Sequence, residues 1–397
     1  MAAGGGAALM RTVLILGARA PVALDLARRF AAAGWRVIAA DSTACGLSAR
    51  SRAVAATLAL PPPREQPLAW AAALAAGVRE YAVELVIPTC EEAFYLARYR
   101  ERLPDDVRVV VADFATMRRL HSKVDFIATA RETGALVGVD VPATRRVHSL
   151  AEARDWAGGE PLVLKPEFSR FGVHVRLYPR GLPKEAPALP EGAWAAQRFH
   201  AGRELCSYAV ADHGVLRACS AYRPAWRLGD SASFHFAPVE LPAIRAFTAA
   251  FVARQRYTGQ IGFDWIQAAD GRLAVIECNP RATSGLHLFA ACDPLPATLA
   301  GDHDGPVLVP GHRRAAMLGA MMATAGLMQA LRSGRAREWW RDWRSADDVI
   351  TRAGDRGPLA GSLHDLLAWR RQAKARGVGL RAAATGDIEF NGEALPS

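Results

Sequence analysis

The sequence predicts an α/β chain with three parts: a doubly wound N-terminal domain, a strand-rich α+β part carrying the chemistry, and a mainly helical C-terminal appendage. Three observations lead there. Apolar strands alternate with helical stretches over the first 115 residues. An Asp-Gly turn separates two alternating apolar runs within 261–281. Beyond about residue 305 the apolar spacing is helical.

Composition sets the limits. A chain of 397 residues can hold two or three domains with sizeable cores. With 51% hydrophobic and 22% charged residues, it belongs with globular rather than disordered chains. No apolar run is long enough to span a bilayer, so a membrane is not an expected partner. The stretch MAAGGGAALM lacks the charged start and long apolar run of a signal peptide. Residues 1–10 therefore read as a flexible extension, with Met10 a candidate start. Six cysteines without CxxC or metal-type spacing read as reduced thiols, which predicts a cytoplasmic location. The net charge of +10 comes almost wholly from scattered arginines. Small anions or a compositional bias explain it better than nucleic acid does.

The elements follow in order. RTVLILG (11–17) is a short apolar run ending in glycine, a buried parallel strand. A helix over 21–33 follows, closed by Gly34. WRVIAADS (35–42) is the second strand. A helix over 66–80 leads to VELVIPT (83–89), and VRVVVAD (107–113) is a fourth strand. The first turn, GARAPVA, lacks the glycine spacing that brings backbone against a pyrophosphate, so a dinucleotide site is disfavoured although Asp41 stands where a ribose-binding acid would. Arg19 and TCEE (89–92) fall at the strand ends, where ligands bind. A helix start capped by Thr89, with Glu91 and Glu92 in its first turn, explains TCEE equally well.

In HSKVDFIATARETG (121–134), Ser122 is an expected N-cap and Gly134 an expected stop. Lys123 then opposes the helix dipole unless an anion binds there; an exposed, screened lysine is the alternative. PLVLKPEFSRFGVHVRLYP (161–179) reads as two strands joined by a loop, with Lys165 ending the first. A lysine beside such a loop can hold phosphate. A proline-rich connector (179–192) leads to WAAQRFHAGRELCSYAV (194–210): strand, turn at Gly202, strand.

The most informative stretch is IGFDWIQAADGRLAVIECNPR (261–281). If Asp270 and Gly271 form a two-residue turn, Ala269 pairs with Arg272 and, counting outward, Asp264 pairs with Glu277. Asn279 shares their face, because side chains repeat every second residue, while Ile276 and Cys278 take the other face. Two carboxylates directly opposite repel, and burial sharpens the conflict. One acid is protonated, or a basic side chain intervenes, or a cation binds. Asp, Glu and Asn supply hard oxygens and leave positions for water or phosphate, which suits magnesium. The plainer alternative is a surface hairpin with acids on its wet side.

Taken together, Lys123, Lys165, Gln197, Glu204, Asp264, Glu277, Asn279 and Arg281 resemble the ATP-grasp superfamily over about residues 11–300, and within it the carbamoyl-phosphate-synthase-like carboxylate ligases. The resemblance implies a preATP-grasp domain (11–115), a two-lobed ATP-grasp domain (116–305, lid about 135–195) and a C-terminal helical domain (306–397). It implies that Lys123 and Lys165 hold ATP phosphates. Gln197, Arg198 and Phe199 would form the adenine hinge, and Glu204 would bind the ribose. Asp264, Glu277 and Asn279 would hold magnesium, two ions being expected and manganese an acceptable substitute. Arg281, with Lys165, would serve the catalytic step by gripping the carboxylate or its acyl phosphate. The implied reaction is ADP-forming ligation of a small-molecule carboxylate to an amine or thiol. A non-catalytic ATP-binding or regulatory protein, and a supplier of acyl phosphate to a partner enzyme, are the alternatives.

The sequence departs from that pattern twice. The lid loop reads EFSRFG, with bulky residues where glycines are usual, and Ser122 replaces the usual acid before the first lysine. Arg223 and His235, within 221–236, are expected near the acceptor, His235 more as a structural histidine than as a base. In REWWRDWR (337–344) helix packing with arginine over tryptophan is preferred to base stacking. DIEFNGE (387–393) is expected as a final strand, and a homodimer is compatible with the C-terminal surface.

Overall fold

The computed structural model describes residues 10–43, 45–170, 174–227, 233–311 and 314–396. The expected extension at 1–9, and Phe171 and Gly172 of the lid loop, lie outside the described residues. The chain forms two compact units.

The first unit comprises residues 10–110, 350–389 and Pro396. Its sheet has five parallel strands: β1 (Thr12–Leu16), β2 (Arg36–Asp41), β3 (Ala56–Ala59), β4 (Leu85–Ile87) and β5 (Arg108–Val109), in the order β3-β2-β1-β4-β5. All five residues of β1 are buried, as expected of a parallel strand covered on both faces. Pro21 opens the first helix, where its missing N–H costs nothing. The expected doubly wound topology is present, with β3 an addition. In the TCEE stretch the helix start holds, but through a different group. The Glu92 carboxylate accepts from the Thr89 and Cys90 amides, both at 2.8 Å, while the Thr89 hydroxyl donates to the Leu16 carbonyl. Arg19 is not offered to a ligand. Its guanidinium is ion-paired with Asp41 and Asp387, and all three groups are buried.

The second unit comprises residues 111–349 and 390–395. A four-stranded antiparallel sheet is built from β6 (Thr144–Val147), β7 (Leu162–Pro166), β8 (Arg176–Tyr178) and β9 (Trp194–Arg198), in the order β6-β9-β7-β8. It spans residues 144–198, overlapping the stretch of about 135–195 expected as a lid and running three residues past it. A seven-stranded sheet holds β10 (Arg203–Asp212), β11 (Val215–Arg227), β12 (Ser233–Val239), β13 (Gly259–Gln267), β14 (Leu273–Asn279), β15 (Ala315–Met317) and β16 (Ala346–Asp348), in the order β14-β13-β10-β11-β12-β15-β16. The turn at Gly202 thus joins strands of different sheets.

Alternation along β13 decides which face is dry. Ile261, Phe263 and Trp265 are fully buried against an aromatic core that includes Phe247, Phe251 and Phe126. Each such side chain contributes about 1.5–3 kcal/mol on burial. That packing turns Asp264 to the opposite face, where the site forms. The helix after Lys123 runs Asp125–Val137, past the expected stop at Gly134, and ends at Gly138 with φ +71°. Gly134 has a packing reason instead: a Cβ there would stand 2.6 Å from the Val139 carbonyl oxygen.

The C-terminal residues do not form a domain of their own. Residues 315–317 and 346–348 extend the large sheet, while 350–389 pack into the first unit. No strand forms over 387–393. The REWWRDWR stretch lies in the helix Ala336–Ser345, with Trp339 stacked on Trp343 and Arg335 over Trp226, the preferred packing reading.

Candidate active site

Asp264 and Glu277 are directly paired across β13 and β14, and Asn279 lies opposite Gly262. The route to that pairing is not the one read from the sequence. The Gly271 amide donates to the Ala268 carbonyl, and the Ala268 amide to the Arg272 carbonyl. The turn therefore holds three residues, with Gly271 at φ +88° in the left-handed position such loops require. Gln267 pairs with Leu273 and Trp265 with Val275, so the register differs by one from that at Asp264. Ile276 takes up the difference as a bulge. Val275 and Cys278 face the core, while Ile276 is only partly buried, not inward as expected.

The two acids resolve their conflict unequally. Burial first, and Glu277 second, push the Asp264 carboxyl up to about 6. Burial also works against ionised Glu277, but Lys123 and Lys165 outweigh it and hold that carboxyl below its ordinary value. The Lys123 ammonium lies 3.4 Å from the Glu277 carboxylate. A basic side chain does intervene, on one acid only. Both lysines are buried, Lys123 at 2% and Lys165 at 5% exposure. Burial, helped by Lys123, lowers the Lys165 pKa. Two buried ammoniums and two half-buried carboxylates thus meet, a setting in which charge stabilisation is stronger than in open water.

The surrounding residues hold this core in place. Lys165 donates to the Gln197 side-chain oxygen at 3.0 Å. Gln197 in turn donates to the Thr144 hydroxyl and to the Ile276 carbonyl at the bulge, at 3.1 and 3.4 Å. Gln197 therefore ties the small sheet to β14. Asn279 donates to Asp264 at 3.3 Å, and Arg281 donates to the Asn279 oxygen at 3.2 Å. Lys123 donates to the Ser169 carbonyl at 2.7 Å.

Other expected residues stand differently. The Arg198 guanidinium faces Trp156 and the Ala157 carbonyl, and the Arg198 and Phe199 amides already serve the Ala143 and Pro161 carbonyls. Glu204 is exposed and ion-paired with Arg227. Arg223 and His235 take the sheet face opposite to Asp264. Strand pairing places Cys206 and Tyr222 beside Asp264 instead, and burial raises the pKa of both. Cys206 was legible two residues after Glu204, but Tyr222 needed the β10–β11 register. The acid missing at Ser122 is supplied in space by Glu167, which accepts from the Ser122 hydroxyl at 2.5 Å and from Arg146 at 2.8 Å.

Asp264, Glu277 and Asn279 are all hard oxygen donors, a set that fits magnesium. Among the described residues, no three His, Cys, Asp or Glu side chains converge to hold an ion. A metal here needs further oxygens from its ligand or from water.

A large, mostly antiparallel sheet whose edge hairpin sets acids against lysines, one of them on a separate four-stranded sheet, has the arrangement of the ATP-grasp fold. Solved structures agree. N5-carboxyaminoimidazole synthetase from Staphylococcus aureus aligns with a TM-score of 0.59 at 13% identity, over 81% of this chain and 86% of that one. L-amino acid ligase from Bacillus licheniformis aligns at 0.54 and 16% identity, over 75% and 77%. A biotin carboxylase from Campylobacter jejuni, in a nucleotide complex, aligns at 0.57 and 14% identity, over 75% and 72%. The sequence matches no protein-family model and no curated protein, so the likeness is one of fold. Among the described residues no helix is long and apolar enough to cross a membrane.

Proposed function

We propose that this chain is an ATP- and magnesium-dependent, ADP-forming ligase that activates a carboxylate as an acyl phosphate for attack by an amine or thiol. The observation that carries the reading is the paired Asp264 and Glu277 facing buried Lys123 and Lys165. Two buried lysines and a carboxyl raised to about 6 form a set that a metal–nucleotide complex satisfies on both sides.

In this reading Lys123 and Lys165 take the phosphates, and the buried Ser169 hydroxyl, without a protein partner among the described residues, adds a donor. Asp264, Glu277 and Asn279 hold magnesium, which when bound offsets the charge of the β- and γ-phosphates. Arg281, released from Asn279, grips the substrate carboxylate. A carboxylate oxygen bonds to the γ-phosphorus as the bond to the bridging β,γ-oxygen breaks and ADP leaves. The nucleophile then adds to the acyl carbon, loses its proton and displaces phosphate. Lysine ammoniums let the two anions approach, so their placement is most of the catalysis.

The test is substrate-dependent ADP release over a panel of metabolite carboxylates with amines and thiols. Glu277→Gln keeps the shape and removes the charge. It should lower ADP release at least about a hundredfold, as loss of a charged transition-state partner does. Unchanged release would refute the ligase reading.

A further inference from the structure

Lys123 is placed by three residues of the loop after β7. Its ammonium donates to the Ser169 carbonyl and its amide to the Glu167 carbonyl, at 2.7 and 3.2 Å. Phe168 stands between those carbonyls, where loops that cradle phosphate ordinarily use small residues.

The Phe168 ring is gripped from three sides. Its centroid lies 5.6 Å from that of His121. The Arg118 guanidinium lies over it at 5.5 Å. The third side is the end of the chain: the Gly392 backbone comes so close that a Cβ there would overlap the ring. Gly392 has φ +82°, which also favours glycine. The contact is reinforced from both directions. Arg118 donates twice to the Gly392 carbonyl, at 3.1 and 3.0 Å. His121 donates to the Phe390 carbonyl at 3.1 Å, and the Phe390 ring packs edge-on against Phe114 at 5.7 Å.

We infer that residues 390–392 are a positioning element for Lys123. By clamping Phe168 they fix the Ser169 carbonyl that holds the ammonium and the Glu167 carbonyl that holds the Lys123 amide, and so set the affinity for nucleotide phosphates. Phe168, Phe390 and Gly392 touch no reacting atom; they act through Lys123. This rests on the nucleotide reading above. It gives the bulky lid loop a purpose: the ring is a handle that a glycine-rich loop would lack.

The test compares Mg·ADP with adenosine, which has no phosphate for Lys123 to hold. Binding of each is measured by calorimetry on the full chain and on Gly392→Val, with Phe168→Tyr as the conservative control. Gly392→Val should weaken Mg·ADP roughly tenfold, about the worth of one charge-assisted hydrogen bond, while adenosine changes less than about twofold. Phe168→Tyr should bind both like the unaltered chain. Should Gly392→Val fail to fold, Arg118→Gln removes the same grip from the side-chain end. Unchanged Mg·ADP affinity in a folded variant overturns the inference, as does an equal fall for adenosine. If the unaltered chain binds no Mg·ADP at all, the ligase reading fails with it.

Discussion

His121 is a buried base between a cationic site and a backbone acceptor. Burial first, then Lys123 and Arg281, lower its pKa from 6.5 to about 3. The folded chain therefore keeps it neutral across a range where the unfolded chain protonates it. Stability from this group is full above pH 6.5 and is lost as pH falls toward 3. At pH 5 the loss relative to neutrality is about 2 kcal/mol. His121→Gln retains a donor for the Phe390 carbonyl and has no proton to take up. Urea unfolding at pH 7 and pH 5, followed by tryptophan fluorescence, should show a larger acid penalty in the unaltered chain, by about that amount. Equal penalties would remove the histidine from the account. Neighbouring Glu167 shows how a site is completed from a distance. Burial works against its charge, but hydrogen bonds from Arg146 and Ser122 prevail and lower its pKa. The serine before Lys123 is thus no loss of charge, because the acid arrives from the loop after β7.

At the scale of elements, the hairpin shows what a sequence can and cannot disclose. The pairing of Asp264 with Glu277 was legible because alternation and the Asp270-Gly271 signal are local. The turn length and the bulge were not, because both depend on backbone geometry, and the two misreadings cancelled. The parallel strands β1 and β2 were plain from unbroken apolar runs, whereas β3 is four residues of alternating exposure and gave no signal. Arg223 and His235 were expected near the acceptor, but alternation sets them on the sheet face opposite to Asp264. The bulge itself makes a prediction. Deleting Ile276 would leave Val275 on Trp265 and Glu277 on Asp264, an uninterrupted ladder. What it removes is the carbonyl that anchors Gln197, and with it the orientation of Lys165. The shortened chain should fold and keep Asp264 opposite Glu277, yet bind ATP roughly tenfold more weakly, the size of one lost hydrogen bond to a charged group. Titration with a fluorescent ATP analogue would measure this, and unaltered affinity would show that the bulge is incidental.

Across the whole molecule, the chain path replaces the separate C-terminal domain with two returns. Residues 350–389 complete the first unit, and 390–395 complete the second. Local periodicity gave the helices of this region but could not give their partners. The first return satisfies buried polar groups that the N-terminal residues leave open. Asp365 accepts from the Gly46 and Leu47 amides at 2.7 and 2.8 Å. Asp387 binds Arg19 at 2.6 Å and the Ser42 hydroxyl at 2.5 Å. Arg19 is 6% exposed, so its charge depends on Asp41 and Asp387 together. A buried cation that loses one of two acids costs about 3–5 kcal/mol when nothing replaces the partner. Asp387→Ala should therefore destabilise the first unit by about 3 kcal/mol, the lower end, because Asp41 remains. Hydrogen exchange should rise throughout β1, β2 and β4, while binding of Mg·ADP, whose proposed ligands all lie in residues 123–281, stays within about twofold. Exchange rising equally in β13 and β14 would overturn the assignment of Asp387 to the first unit alone.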